Sequence, residues 1–161
     1  MDTIWAPWRM EYIKKIDKKN NECIFCTIPF QKSDKENLVI YRGKKNFIIL
    51  NKYPYTNGHL MVVPYIHTSD SRDLCDATAL EMWKLIHKCK VVLENTFFPD
   101  GFNIGLNIGR TAGAGIDQHI HMHIVPRWDG DSNFMSAIGK TKVISQSLSE
   151  TYDSLFPGFS K

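Results

Sequence analysis

The chain has 161 residues, 43% of them apolar, with 20 basic against 17 acidic side chains and a formal net charge of +3. That length suits one domain with a real core, and so mild a positive surplus does not argue for nucleic-acid binding. No apolar stretch is long enough to cross a membrane and the N-terminus lacks the apolar core of a signal peptide, so a cytoplasmic protein is expected. Lys14, Lys15, Lys18 and Lys19 cluster near the start, but Glu11, Asp17 and Glu22 interrupt them, as on a solvated face. Four cysteines in a reducing compartment do not suggest a disulfide framework. Cys75 and Cys89 stand alone and read as small apolar residues.

Residues 1–37 read as irregular, with aromatics at Trp5 and Trp8 and a Cys-x-x-Cys turn. Residues 38–41 and 47–50 read as two strands joined by a turn at 43–46, and residues 59–64 as a third. The periodicity predicts the main helix over residues 76–96, with a mostly apolar stripe through Leu80, Trp83, Ile86 or His87, Lys90 and Leu93. His87 reads as a surface or partly buried side chain. Residues 102–108 read as another strand with Gly105 as a bulge. A glycine-bearing loop follows over 109–115, then a strand of histidines, and residues 143–156 predict a short C-terminal helix. Strands in a run, one main helix and hairpin-length turns give an α+β domain with an antiparallel sheet.

The histidine run is the most informative stretch. His119, His121 and His123 alternate with Ile120, Met122 and Ile124, and Pro126-Arg127 close the run. On a strand the three imidazoles share one face, roughly 6.5–7 Å apart, while the aliphatics face a core. Such a row can bind a metal, hold phosphate oxygens or present a nucleophile. No Gly-x-Ser-x-Gly elbow offers a rival nucleophile.

Two further constellations stand near it in the sequence. Cys23-Ile24-Phe25-Cys26 has the spacing of half a tetrahedral zinc site, and His67 and His119 can supply the other half. The alternative is an unmetallated turn with two small thiols. A closed four-ligand site would be structural rather than catalytic. The loop from Asn107 to Asp117 carries Gly109, Gly113 and Gly115, whose backbone N–H groups can approach an anion, and Asn107 can donate to a phosphate oxygen.

Together, residues 119–125, 47–51 and 58–64, Asn107 and the glycine loop resemble the histidine triad (HIT) family of nucleotide hydrolases and transferases. Residues 5–12, 51–55 and 126–134 make the chain most similar to that family's bacterial diadenosine tetraphosphate phosphorylase branch. The resemblance implies one domain over residues 1–161, with a core at about 20–130. It implies a five-stranded antiparallel sheet with one main helix and a short C-terminal helix, assembled as a homodimer. By the same resemblance His121 attacks the α-phosphorus of an adenine nucleotide, and His123 and Asn107 hold its oxygens. Asn51 binds the ribose, His59 supports the site, and Gly113, Gly115 and Ile116 offer loop contacts to the nucleotide. His119 either orients His121 or joins Cys23, Cys26 and His67 around zinc.

The pattern departs from the family where a Ser, Thr or Gln usually stands before the triad. Here the chain reads Gly115-Ile116-Asp117-Gln118. The favoured reaction is phosphorolysis of diadenosine tetraphosphate by inorganic phosphate. Hydrolysis by water and nucleoside phosphoramidate substrates stand beside it. Two other classes are a nucleotide binder without catalysis and a protein whose three histidines chelate a catalytic metal.

Overall fold

A computed structural model describes residues 23–131 and 144–160. The Trp5–Tyr12 segment, the lysine cluster, residues 132–134 and the expected helix start at Val143 lie outside them. Five strands form one sheet: β1 (Val39–Arg42), β2 (Asn46–Leu50), β3 (Leu60–Pro64), β4 (Gly101–Leu106) and β5 (Met122–Arg127). Their order is β1-β2-β3-β5-β4, and every pair is antiparallel. The helices are α1 (Ile24–Thr27), α2 (Asp76–Phe97) and α3 (Leu148–Phe159). This is the α+β class the sequence predicts.

Alternation along the strands sorts the core into two layers. Ile48, Leu50, Leu60, Val62 and Ile124 face α2 and α3 in the main cluster. Phe47, Ile49, Met61 and Val63 face the other way and pack with Phe25 of α1. Every residue of β2 and β3 is buried, because both faces are covered. Glu81 of α2 fastens the β1–β2 turn to the helix. Its carboxylate accepts from the backbone N–H groups of Lys44, Lys45 and Asn46 and from the Asn46 amide, at 2.7–2.9 Å.

Several expectations shift. The buried face of α2 is Thr78, Met82, Leu85, Ile86, Cys89, Val92 and Leu93, while Leu80 and Trp83 are exposed. The helix carries two apolar stripes, and the buried one includes Thr78 and Cys89, which weigh little in an apolar pattern. His87 is exposed, and Cys75 is exposed too, at the N-cap of α2. The β4–β5 register runs unbroken through Gly105, so no bulge forms there; the irregular register lies between Val39 and Tyr41. The C-terminal helix starts later and runs on to Phe159. Ser147 caps it, with Glu150 closing the reciprocal bond of a capping box.

α3 belongs to the main core. Tyr152 donates to the Val39 carbonyl at 3.0 Å, and Leu155 and Phe159 are buried against β1 and α2. Lys88 sits over the Tyr41 ring, 4.1 Å from its centroid, and donates to the Phe159 carbonyl. Leu155 is fully buried, so Leu155→Ala is expected to cost about 2–5 kcal/mol, read as a lower denaturant midpoint at unchanged slope.

Candidate functional site

The three histidines lie on the face of the sheet opposite α2, with the Phe25 layer. β5 begins only at Met122, so His119 and His121 sit on the extended segment leading into it. Ile120 donates its N–H to the Thr68 carbonyl at 2.7 Å, which keeps that segment straight. The rings close up more than an ideal strand allows: the His121 and His123 centroids are 4.9 Å apart. All three histidines are buried, as is His59.

Backbone partners fix the tautomers. A carbonyl only accepts, so the ring nitrogen facing it must carry the proton. His121 Nδ1 lies 2.8 Å from the His119 carbonyl and therefore bears N–H. In the neutral ring this leaves the lone pair on Nε2, the form a nucleophile needs. Burial lowers the His121 pKa below its ordinary 6.5, against the opposing effect of that hydrogen bond, so the neutral ring prevails at pH 7.

His119 is oriented by the same logic. Its Nε2 donates to the Pro64 carbonyl at 2.8 Å, so Nδ1 keeps a lone pair. That Nδ1 faces Cys23 Sγ at 3.3 Å and Cys26 Sγ at 3.6 Å. Burial, which outweighs the Pro64 hydrogen bond, pushes the His119 pKa down to about 4.

A relay runs through His59. Its Nδ1 accepts from the Tyr55 N–H at 3.1 Å and meets the Asn51 amide at 3.3 Å. With Nδ1 an acceptor, His59 Nε2 carries the proton and donates to His123 Nδ1 at 2.9 Å. His123 in turn holds its proton on Nε2. The Tyr55 ring lies against both, 4.7 Å from His59 and 5.9 Å from His123. Gly58 permits the approach of this segment by taking a φ of +73°, with Leu93 and Phe97 packed where a Cβ would point.

Asn107 and His123 line one cavity, of about 410 Å³. Gly109 and Gly113 take positive φ around a short 3-10 turn at Arg110–Ala112. Gly115 follows, and Ile116 packs toward the Phe25 cluster. Arg110 and Asp117 pair at 2.8 Å and tie the two ends of this loop together.

The Cys-x-x-Cys turn stands beside the triad. The donor atoms of Cys23, Cys26, His67 and His119 all lie within 4.8 Å of one another, a group able to hold a metal ion. Cys26 Sγ is 3.2 Å from His67 Nδ1. Burial and the neighbouring Cys23 thiol push Cys26 up to about 11. Phe25, between the two cysteines, packs on both His119 and His121, at centroid distances of 5.5 and 5.1 Å.

The cluster thus joins the expected residues into two adjoining groups, His59, His121, His123, Asn51 and Asn107 in one and the Cys/His set in the other, with His119 between them. Sequence reasoning missed Phe25 and Tyr55. Phe25 reads as a core aromatic, and Tyr55 acts partly through its backbone N–H. The only signal for Tyr55 is its place in the Pro-containing turn before Gly58-His59.

A HIT domain model matches residues 32–130. The chain is 43% identical over 157 residues to a Mycobacterium tuberculosis protein named AP-4-A phosphorylase, covering 94% of this chain and 80% of that one. It is 31% identical over 93 residues to the asymmetrical bis(5'-nucleosyl)-tetraphosphatase of Schizosaccharomyces pombe, covering 58% and 50% of the two chains. A zinc-bound histidine triad family protein from Mycobacterium smegmatis has a similar structure, with a TM-score of 0.69 and 28% identity over 86% of this chain and 94% of that one. With its triad, its sheet and the family model all in agreement, this chain belongs to the HIT domain family.

Proposed function

We propose that this protein is a nucleotidyl transferase acting on dinucleoside polyphosphates, with diadenosine tetraphosphate as substrate and inorganic phosphate as acceptor. The observation that carries the reading is the His121 tautomer: its proton is committed to the His119 carbonyl and its Nε2 lone pair is left for attack. The similarity to the AP-4-A phosphorylase supports the choice of substrate and acceptor.

His121 Nε2 attacks the α-phosphorus of one adenosine. An N–P bond forms as the bridging P–O bond breaks, and the electron pair leaves on ATP. The imidazole of the adduct keeps its Nδ1 proton, and the His119 carbonyl stabilises the charge that develops on the ring. Inorganic phosphate then attacks the same phosphorus, the N–P bond breaks and ADP leaves. His123 donates from Nε2 to an oxygen of the transferred phosphoryl group, a proton position held by His59 and the Tyr55 N–H. The Asn107 amide serves a second oxygen. Such positioning of donors around the equatorial oxygens is what phosphoryl transfer asks of a protein. Asn51 holds the ribose hydroxyls, and the N–H groups of Gly113, Gly115 and Ile116 serve the phosphate chain.

Cys23, Cys26, His67 and His119 fit zinc. A tetrahedron with Zn–S of about 2.3 Å and Zn–N of about 2.0 Å has edges of about 3.3–3.8 Å. Three of the sulfur–nitrogen separations, at 3.3, 3.2 and 3.6 Å, are close to those edges, and all four donors lie within 4.8 Å of one another. Bound there, zinc supplies a structural tie between the Cys-x-x-Cys turn and the sheet. His119 is thereby a ligand through its side chain and a positioning residue through its carbonyl. Free thiols at Cys23 and Cys26 suit a reducing compartment such as the cytoplasm. The chain acts as one domain over residues 1–161 and as a homodimer, supported by β4 standing at the sheet's edge among the described residues and by the exposed Leu80 and Trp83 of α2.

Product analysis tests the reaction. ATP and ADP are expected from diadenosine tetraphosphate only when inorganic phosphate is present; AMP and ATP without phosphate would make water the acceptor. His121→Ala is expected to lose turnover by at least about a thousandfold while still binding nucleotide in calorimetry. Because the His121 pKa is lowered, the neutral nucleophile persists into mild acid. The acid limb of kcat/KM should therefore fall below pH 6.5, and a limb above that value would contradict a neutral His121 as the attacking group. Stripping metal with a chelator should lower the thermal midpoint yet leave the initial rate of still-folded protein largely intact. Immediate loss of activity at unchanged fold would make the metal catalytic.

A further inference from the structure

A dinucleoside polyphosphate carries a nucleoside at each end, so a site built for it needs room on both sides of the attacking histidine. The strand order sets β5 between two flanks. Asn51, just past β2, lies on the flank reached through β3. The opposite flank is β4. Its register pairs Asn103 with Val125 and Gly105 with His123, so alternation sets Asn103 and Gly105 on the face that carries His123, Val125 and Arg127.

The 410 Å³ cavity runs over that face. Asn107 and His123 border one end. Asn103, Arg127 and Asp131 border the other, and Tyr55 and Thr56 form part of the wall. His123 and Arg127 are four strand residues apart, roughly 13 Å. Gly105 leaves the floor open: a Cβ built there meets nothing within 4 Å among the described residues.

The two ends differ in chemistry. At the far end Arg127 forks onto Asp131, with Nη2 donating to Oδ1 at 2.8 Å and Nε donating to Oδ2, and Nη1 donates to Asn103 Oδ1 at 2.7 Å. Among the described residues the Arg127 cation is matched by the Asp131 carboxylate, so another phosphate gains little from this end. A sugar gains more. Its vicinal hydroxyls can donate to the carboxylate and to the Asn103 oxygen, and accept from the guanidinium, which has five N–H groups to share.

We propose that this cavity is the subsite for the leaving nucleotide: Asn103 and the Arg127–Asp131 pair bind the ribose of the second nucleoside. They thereby select a two-nucleoside substrate over a mononucleoside polyphosphate. The inference rests on the nucleotidyl-transfer reading above. A second copy pairing along β4 would use the outward backbone groups of that strand, not the face on which the cavity lies.

The test compares diadenosine tetraphosphate with adenosine 5'-tetraphosphate as substrates of the metal-loaded protein in the presence of phosphate. Asn103→Ala, Asn103→Trp and Arg127→Met are set against the wild type, with thermal midpoints measured alongside. Loss of one or two hydrogen bonds should raise KM for the dinucleotide about tenfold, while kcat/KM for adenosine tetraphosphate stays within about twofold. Asn103 is exposed on an edge strand, so its variants keep the test sound even where Arg127→Met fails to fold. Equal loss on both substrates, or no change on either, would overturn the subsite. A wild type that turns over neither substrate and forms no covalent adduct would instead overturn the nucleotidyl-transfer reading beneath it.

Discussion

The carbonyl oxygen of His119 holds the site together. It accepts from His121 Nδ1 and so decides which nitrogen of the central imidazole keeps a lone pair. The residue that owns this carbonyl is pinned on both sides. Its Nε2 is bonded to Pro64 at the end of β3, and its Nδ1 is aimed at two cysteines. Displacing His119 would therefore disturb the proposed nucleophile, the end of the central strand β3 and the candidate metal centre together. Phe25 adds a second link, since the turn that brings the cysteines also lays an aromatic ring on His119 and His121.

The fold makes this arrangement affordable. Burying four imidazoles would be costly if any ring had to be charged, because desolvation disfavours the charged form. The site instead fixes a neutral tautomer for each ring through the group bonded to one of its nitrogens. Donors and acceptors alternate from the Tyr55 N–H through His59 to His123, and separately from His121 to the His119 carbonyl. The apolar layers supply rigidity: Ile124 and its neighbours press α2 and α3 onto one face, which leaves the other face for polar work.

Much of this was legible in the sequence because strand alternation is a strong signal. Three histidines at every second position, backed by Ile120 and Ile124, mark a buried stretch and a candidate site. The Cys-x-x-Cys spacing picked out the cysteine half of the cluster with His67 and His119. The helix face was misjudged because α2 has two stripes, and Trp83 outweighs Thr78 and Cys89 in an apolar pattern while lying exposed. The Gly105 bulge failed because an edge strand tolerates a glycine without breaking register. Tyr55 was illegible for a deeper reason: what it contributes is partly a backbone N–H, which any residue but proline carries, so only its position matters.

The most direct measurement is to trap the covalent species: rapid quench of the wild type with diadenosine tetraphosphate, peptide mapping by mass spectrometry, and phosphorus NMR of the adduct. An adenylyl group on His121, bonded through Nε2, is the expected adduct. An adduct on another residue or on Nδ1, or turnover with no adduct at all, would contradict it.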